Sequence, residues 1–457
     1  MHCCLRILTI TSILKCCKLG VKMEKEHFYG RLIIKSKLTT IEQKQFENVV
    51  DRRPTIINDQ CQRCSQIVTG KIRLAGAEKY CICCQQLGRI SEDDELWTIN
   101  EPNDFNMVKN WDWSGKLTKP QMQVVTEILS HNQKHLVWAV TGAGKTEILF
   151  PIIWQGLKQR KRIAIAAPRI DVINELFPRF KRVFPTVTMC AMHGAIKDQY
   201  AYTQIVVCTT HQLLKFKAAF DLIIVDEVDA YPLSGNQMLW SAINNACKNN
   251  GRQIWLSATP TTTLLKQVRQ ISYLPLRFHN FLLPECKITL VNRWQHNLKR
   301  GKLPAFLIKC LKNFTINGLP FLIFVPTIED TQAVLQSINK YFPNLKVMAV
   351  HSRDTERINK ILALRQAKIQ GLVTTLILER GVTFPDIDVI VLGAEHSNFT
   401  VTSLLQIIGR VGRKLSRPNG EVYFLTNYYC LKLYQVKKLI KKINTKAQIM
   451  GGRKYEL

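Results

Sequence analysis

The chain has 457 residues, 46% of them hydrophobic, which is enough for buried cores in about three domains. Its 64 Lys and Arg residues against 34 Asp and Glu residues give a formal net charge of +30. Such dispersed basicity favours a polyanionic partner, most often nucleic acid, although a merely basic protein has the same composition. Six of the fifteen cysteines stand singly in apolar contexts, which argues against a disulfide scaffold. No apolar stretch approaches the ~20 residues of a membrane-spanning helix.

Residues 1–22 are short, basic and apolar, with two adjacent Cys pairs. Lys15 and Lys18 interrupt the apolar run, and no clean small-residue cleavage site follows, so the segment makes a poor signal peptide. A metal site from the four cysteines is an alternative, but adjacent pairs also occur without a metal. We expect a mis-assigned upstream start or a disordered extension, with Met23 opening the N-terminus.

Residues 23–116 form a predicted N-terminal region with two C-x₂-C pairs, Cys61 with Cys64 and Cys81 with Cys84, separated by sixteen residues. Two tight turns that each present two thiolates complete a tetrahedral Zn²⁺ site. All four predicted ligands are sulfurs, which indicates a structural site rather than a catalytic one. Cys83 lies inside the second pair and competes with its neighbours as a ligand.

A phosphate-binding loop is predicted where the apolar run 136–140 leads into Gly144-Lys145-Thr146. This pattern of strand, loop and helix start directs backbone N–H groups at a phosphate, although Ala139 stands where the usual pattern has its first glycine. Lys145 is predicted to reach the β- and γ-phosphates of ATP, and Thr146 to hold Mg²⁺. Gln121 is predicted to read the adenine edge with its amide, or else to be an ordinary helix-surface glutamine. The remaining predicted ATP ligands are Thr141, Gly142, Ala143 and Gly144.

Four apolar runs after this loop predict buried parallel strands, because each is too apolar to be half exposed. They cover residues 163–167, 205–208, 222–225 and 254–256. An open α/β sheet binds ligands at its carboxyl ends, where Asp226 and Glu227 follow the third run. Asp226 is predicted to hold Mg²⁺, and Glu227 to orient or deprotonate the attacking water. Two adjacent carboxylates also fit a plain surface turn, but the preceding phosphate loop favours catalysis.

The alternation resumes with predicted strands at 321–325, 347–350, 372–375, 389–392 and 422–425. This part of the chain has no phosphate loop of its own, but it contains Arg410 and Arg413, three residues apart in QIIGRVGR. Arginines from a partner domain can stabilise the charge that develops on a γ-phosphate, whereas read alone GRVGR is a surface basic patch. The Lys-rich tail fits a contact with nucleic acid or an anionic membrane, or a solvated helix.

Taken in order, six motifs resemble those of superfamily 2 helicases: AVTGAGKT at 139–146, PR at 168–169, TTH at 209–211, DEVD at 226–229, SAT at 257–259 and QIIGRVGR at 406–413. Longer strings, including WAVTGAGKTE, VDEVDAYP and ILERGVTFPDIDVIVLGA, are similar to the ComFA family, the ATPases of DNA uptake in Gram-positive bacteria. The resemblance runs from about Tyr29 to about residue 445. Leu376 departs from it, standing where a third threonine is expected.

The resemblance implies an α/β fold with two tandem RecA-like parallel-sheet domains, at 117–285 and 286–445, after the zinc-binding region and before a basic tail at 446–457. It implies an ATP-dependent single-stranded DNA translocase that drives uptake of transforming DNA. The implied partners are the channel ComEC, the protein ComFC and DprA, and the implied location is cytoplasmic, peripheral at the inner face of the membrane. The implied strand contacts are Pro168, Arg169, Thr210 and Thr375, and the implied coupling residues are Asp229, Ser257, Thr259, Gly381 and Gln406.

Two alternatives remain open at this point. A replication-restart helicase of the PriA type shares the motor motifs and the zinc cysteines, but its cysteines lie between the motor domains, whereas Cys61 to Cys84 precede them here. A DNA-binding scaffold with a degenerate motor would lack catalytic residues, whereas Lys145, Glu227, Arg410 and Arg413 are all present.

Overall fold

The structure is a computed structural model that describes residues 23–68, 79–194 and 200–453. The expectation for residues 1–22 lies outside the described residues, as does the end of the predicted basic tail. Within the described ranges, no helix is both long enough and apolar enough to cross a membrane.

The N-terminal region folds as a small antiparallel sheet with β5 between β1 and β2, beside a hairpin of β3 and β4. Thr39 caps the N-terminus of helix α1, because its side chain accepts a hydrogen bond from the backbone N–H of Glu42. Phe28, Phe46 and Trp97 form the core. The elements are β1 (Ile33–Ile34), α1 (Thr40–Phe46), β2 (Asp51–Pro54), β3 (Ile56–Ile57), β4 (Gln60–Cys61) and β5 (Glu95–Thr98).

A buried arginine fixes this region on the following domain. Arg162 pairs with Glu101, and both side chains are fully buried. Its Nη1 also donates to the carbonyl of Tyr29 at 3.0 Å, and its Nε to the carbonyl of Thr203 at 3.1 Å. Because removing one partner of a buried ion pair costs about 3–5 kcal/mol, this contact holds the N-terminal region in place.

The first large domain is a seven-stranded, all-parallel sheet in the order β12-β6-β11-β10-β7-β9-β8. Its elements are α2 (Lys119–Leu129), β6 (His135–Ala139), α3 (Lys145–Lys158), β7 (Ile163–Ala167), α4 (Ile170–Val183), β8 (Met189–Met192), β9 (Ile205–Thr209), β10 (Phe220–Val225), α5 (Gln237–Ala246), β11 (Cys247–Ser257), α6 (Thr262–Lys266) and β12 (Gln270–Leu274). The four runs predicted as buried parallel strands are β7, β9, β10 and the end of β11. The sequence did not indicate β8 and β12, which are edge strands with partly exposed side chains.

The second large domain is a six-stranded parallel sheet in the order β13-β18-β17-β14-β16-β15. Its elements are β13 (Lys287–Leu290), α7 (Trp294–Lys299), α8 (Ala305–Ile316), β14 (Phe321–Phe324), α9 (Ile328–Tyr341), β15 (Val347–Val350), α10 (Arg357–Arg365), β16 (Gly371–Thr374), β17 (Asp388–Leu392), α11 (Val401–Ile408), β18 (Val422–Thr426) and α12 (Leu431–Ile449). Two tandem parallel-sheet domains confirm the predicted fold class. Helix α12 runs on past residue 445, and Asn444 bonds both backbone groups of Leu283 at 3.0 Å.

Ion pairs connect the two large domains across the cleft between them. Helix α4 and the turn before it supply three of the partners, and domain two supplies the other ends. The pairs are Arg169 with Glu379 at 3.2 Å, Asp171 with Arg357 at 3.0 Å and Glu175 with Arg365 at 3.7 Å. These contacts bring the carboxyl end of the first sheet against residues of the second domain.

Candidate active site

The phosphate loop connects β6 to α3 and adopts a backbone that needs glycine. Gly142 and Gly144 have φ angles of +83° and +77°, in the left-handed region that other residues rarely occupy. Gly144 caps α3, so Lys145 is the first helical residue. The helix therefore presents its free N–H groups and the positive end of its dipole to whatever lies in front of the loop.

A cavity of about 370 Å³ lies in front of this loop, between the two large domains. Its volume is in the range of small-ligand sites. It brings together the predicted catalytic residues, which come from both domains. They are Lys145, Asp226 and Glu227 from the first domain and Arg410 and Arg413 from the second. Of the other predicted ATP ligands, Gln121, Thr141, Gly142, Gly144 and Thr146 also line it.

Gln121 holds the phosphate loop. Its Nε2 donates to the carbonyl of Ala143 at 2.9 Å, and its Oε1 accepts from the backbone N–H of Thr118 at 2.8 Å. Both ends of the amide are therefore engaged within the protein, and the side chain is buried. Reading an adenine edge, as the sequence predicted, requires Gln121 to exchange these bonds for bonds to the base.

Asp226 and Glu227 follow β10 directly and are oriented by a strained backbone. Glu227 has a φ of +52°, and its backbone N–H donates to Oδ1 of Asp226 at 2.8 Å. Its own Oε2 is buried without a hydrogen-bond partner. Strained residues and orphaned buried oxygens concentrate at functional sites, and a positioned water would supply the missing partner.

Asp226 and Thr146 both line the cavity and supply oxygen donors, which is the ligand chemistry that Mg²⁺ prefers. Arg179 contacts this corner from α4: its Nη1 donates to Oγ1 of Thr146 at 3.1 Å, and its Nη2 pairs with Glu147. The donor set fits Mg²⁺: Asp226 and Thr146 would hold the ion, and it would supply positive charge to neutralise the phosphate. Arg179 was not among the predicted residues.

The buried carboxyl of Glu227 gives the reaction a predictable pH dependence. Burial raises its pKa above the usual glutamate value; Arg380 partly offsets this, and the neighbouring Asp226 adds to it. A general base works in its ionised form, so kcat/KM for ATP falls as the pH drops through this raised pKa. We expect the acid limb above the ordinary glutamate value of about 4.3. A pH–rate profile checks this, and an acid limb at or below that ordinary value would contradict it.

Asp229 lies at the centre of the predicted coupling residues. Its Oδ1 accepts from the hydroxyl of Ser257 and its Oδ2 from that of Thr259, both at 2.7 Å. Arg380 of the second domain pairs with the same carboxylate at 2.8 Å. Burial alone would raise the pKa of Asp229, but Arg380 and the hydroxyls lower it below the usual range. The sequence did not single out Arg380, although it lies in the ILERG string beside the predicted Gly381.

Two further predicted coupling residues lie on the second domain's side of the same contact. Gln406 reaches Thr259, its Nε2 donating to Oγ1 at 3.4 Å. Gly381 has a φ of +76°, and a Cβ added there would lie 3.1 Å from the Cβ of Asp171 in α4. The five predicted coupling residues therefore all lie at the seam between the domains.

The two predicted arginine fingers reach the cavity from the end of α11. Nε of Arg410 donates to the carbonyl of Glu379 at 3.0 Å, while its Nη1 is buried without a hydrogen-bond partner. Burial lowers the pKa of both Arg410 and Arg413, and the proximity of Arg413 lowers that of Arg410 further. A γ-phosphate in the cavity would supply the missing acceptor and a further negative charge close to both guanidinium groups.

The loops that carry the fingers and the phosphate site are in direct contact. A Cβ built on Gly409 would lie 1.9 Å from Oγ1 of Thr141. Only glycine at position 409 lets the finger loop approach the phosphate loop this closely. The sequence showed this glycine within QIIGRVGR but gave no reason to assign it a role.

The residues implied as strand contacts are buried or half-buried in the structure. Pro168 and Thr210 are buried, and Oγ1 of Thr210 has no hydrogen-bond partner among the described residues. Arg169 is engaged with Glu379, and Thr375 is half-buried. The motifs lie at the ends of β-strands as predicted, and the contact of these residues with a DNA strand stays a prediction.

The four predicted metal ligands converge in the N-terminal region. The sulfurs of Cys61, Cys64, Cys81 and Cys84 are all buried and lie within 4.8 Å of one another. The distance between the sulfurs of Cys61 and Cys84 is 3.8 Å, and between those of Cys64 and Cys81 it is 3.5 Å. A tetrahedral ion with bonds of about 2.3 Å separates its sulfurs by roughly 3.8 Å, so the cluster fits Zn²⁺. Cys83 is exposed and lies outside it.

Family models match both large domains. One described as "Type III restriction enzyme, res subunit" matches residues 114–262, and one described as "Helicase conserved C-terminal domain" matches residues 303–414. The chain is 36% identical over 408 residues to competence protein ComFA of Bacillus subtilis, which covers 85% of this chain and 86% of that protein. The chain belongs to the ComFA family. Over 427 residues it is also 36% identical to ComFA of Streptococcus pneumoniae, covering 92% of this chain and 98% of that protein.

Membership of the ComFA family and the two helicase domains identify the protein as an ATP-hydrolysing superfamily 2 helicase that acts in competence. Its similarity to replication restart protein PriA of Rickettsia prowazekii is lower, at 23% identity over 70% of this chain and 63% of that protein. The fold is similar to that of S. cerevisiae Dbp5 bound to RNA and ADP BeF3, with a TM-score of 0.56, 17% identity, and coverage of 72% of this chain and 88% of that chain.

Proposed function

We propose that this ComFA-family protein is an ATP-driven translocase that moves along single-stranded DNA and drives the uptake of transforming DNA. The observation that carries the proposal is the composite cavity, in which Lys145, Asp226 and Glu227 of one domain face Arg410 and Arg413 of the other. Hydrolysis in this cavity requires residues of both domains. When the γ-phosphate is lost, the negative charge that holds the two arginines in place is lost with it. The domains then move relative to each other once per ATP hydrolysed.

A single strand is the substrate that best suits this chain. The formal charge of +30 provides long-range attraction to a polyanion. Contacts from the ends of the β-strands to the phosphates of a DNA backbone carry no sequence information, so binding is sequence-independent and weakens steeply with salt.

The described helices include none that could cross a membrane. From its membership of the ComFA family we propose a cytoplasmic protein that reaches the inner face of the membrane through partners, with ComEC, ComFC and DprA as the candidates that the family suggests.

Steady-state ATP hydrolysis with added single-stranded DNA, duplex DNA or single-stranded RNA, each at two salt concentrations, tests the substrate. We expect strong stimulation by single-stranded DNA that fades as salt is raised. Equal or greater stimulation by forked duplex or by RNA would instead favour a replication or RNA helicase. Against the replication-restart alternative, the four-cysteine cluster at 61–84 precedes both helicase domains.

We also propose that the four-cysteine cluster holds a structural Zn²⁺. Arg63 supports the ligand set, because its Nε contacts the sulfur of Cys84 at 3.3 Å and its Nη2 donates to the carbonyls of Cys84 and Gly88. Such second-layer contacts orient metal ligands, and the binding energy of a structural metal is folding energy.

Chelation, or Cys61→Ser, should therefore unfold the N-terminal region. Limited proteolysis and thermal unfolding check this, with Cys83→Ser as the matched control, because Cys83 is exposed and lies outside the cluster. Unchanged unfolding after the metal is removed would contradict a structural site.

A further inference from the structure

The segment that joins the two large domains is bonded to the phosphate loop. It follows β12, where the carbonyl of Leu274 accepts the backbone N–H of Val140 at 3.1 Å. The N–H of Phe278 then donates to the carbonyl of Gly142 at 3.0 Å. Nε of Arg277 lies 3.4 Å from the carbonyl of Thr141. The connecting segment therefore follows the phosphate loop closely on its way to the second domain.

The other end of the Arg277 guanidinium is bonded to the finger loop, which we define as residues 409–413. Nη1 donates to the carbonyl of Gly412 at 2.8 Å, and Nη2 donates to the carbonyls of Val411 at 2.5 Å and Gly409 at 3.4 Å. His279 adds a contact, with its Nε2 3.0 Å from the carbonyl of Gly412. One planar side chain thus bonds the two loops that must meet for hydrolysis.

Arg277 is 1% exposed, and its hydrogen-bond partners in the described chain are all backbone carbonyls. Burying a charge without a carboxylate partner is costly. The carbonyls just beyond α11 lie at the negative end of that helix dipole, which offsets part of the cost. Burial, and then the proximity of Arg413, lowers the pKa of Arg277 to about 9. A neutral polar residue would be cheaper to bury, so stability alone does not account for an arginine here.

Arg277 does not line the nucleotide cavity, whereas its neighbour Phe278 does. Any effect of Arg277 on hydrolysis must therefore pass through the loops it holds. Those loops tolerate little displacement, because Gly409 and Thr141 are already in contact. A misplacement of about 1 Å at a catalytic group can cost about 100-fold in rate.

We propose that Arg277 is a positioning residue that fixes the finger loop on the phosphate loop, so that Arg410 and Arg413 meet the γ-phosphate when the domains close. Arg277 belongs to the segment that connects the two large domains, so it also couples the position of the second domain to the conformation of the phosphate loop. This proposal concerns the hydrolysis step and does not depend on which nucleic acid the protein follows.

The test compares Arg277→Gln and Arg277→Lys with Arg252→Gln in the full chain. Arg252 is a matched control, because it also bonds backbone carbonyls, those of Ile128 and Gln133, but lies outside the cavity. For Arg277→Gln we expect kcat to fall about 100-fold while KM for ATP stays within about threefold. The affinity for ADP with aluminium fluoride, which mimics the transferring phosphoryl group, should fall with kcat. Arg277→Lys should recover part of the loss, because it keeps the charge but not the planar fork.

Several results would overturn the proposal. They are an unchanged kcat in a folded Arg277→Gln protein, a KM that rises by as much as kcat falls, or an equal loss of kcat in Arg252→Gln. If Arg277→Gln does not fold, Arg277→Lys carries the test by the same criteria: a lowered kcat at unchanged KM supports the proposal, and a wild-type kcat contradicts it.

Discussion

Glu227→Gln should bind ATP and nucleic acid but hydrolyse ATP about 10²–10⁴ times more slowly than the native chain. The amide keeps the shape of the side chain and its strained backbone position, but it cannot accept a proton from the attacking water. Oε2 of Glu227 is buried and has no hydrogen-bond partner among the described residues, so no other protein group takes the place of the attacking water beside it. Single-turnover hydrolysis and equilibrium ATP binding, measured on the same preparation, separate the chemical step from binding.

The control for this variant is Glu329→Gln, since Glu329 is an exposed glutamate at the start of α9, outside the cavity. It should hydrolyse ATP at the native rate. Near-native turnover in Glu227→Gln would show that another group activates the water, and the assignment of the base would have to be abandoned.

Arg410→Ala should reduce kcat by about 10³–10⁵-fold, the range found for arginine fingers in other phosphoryl-transfer enzymes. Arg410 belongs to the second domain and is 2% exposed, and its Nη1 has no hydrogen-bond acceptor among the described residues. Nη1 of Arg410 is therefore free to bond a phosphate in the cavity, and this interaction is expected to be strongest as the γ-phosphoryl group departs. We expect KM for ATP to change much less than kcat, which steady-state kinetics will measure.

Removing a buried arginine also risks a loss of stability, which Arg417→Ala controls for. Arg417 pairs with the buried Asp388 at 2.8 Å in the same domain but does not line the cavity. Arg417→Ala should lower the thermal unfolding temperature while leaving kcat near the native value. If Arg410→Ala loses no more activity than Arg417→Ala does, Arg410 is not a finger.

The sequence was most informative where one short segment carries the whole signal. The run at 163–167 is β7 with no change of bounds, because five consecutive apolar residues that include β-branched isoleucines are typical of a strand buried on both faces. The phosphate loop and the four cysteines were equally local patterns. Edge strands such as β12 were missed because their exposed side chains break the apolar run.

The sequence was least informative where function depends on contacts between distant segments. Arg380 pairs with Asp229 across 151 residues, and Arg277 bonds Gly412 across 135. Each looks like an ordinary arginine in the sequence, and only the packing of two domains gives it a partner. Burial is equally hard to read from a motif: Thr210 lies at the end of a β-strand as its motif indicates, and only the structure shows that its side chain is buried.

The most direct test of the central claim is displacement of streptavidin from biotinylated single-stranded oligonucleotides, with biotin at either the 3′ or the 5′ end. A protein that converts ATP hydrolysis in the interdomain cavity into movement along one strand should release streptavidin from one end only. Release should require ATP and be absent with Glu227→Gln. ATP hydrolysis stimulated by single-stranded DNA, with no displacement from either end, would contradict the account and leave an ATPase that does not translocate.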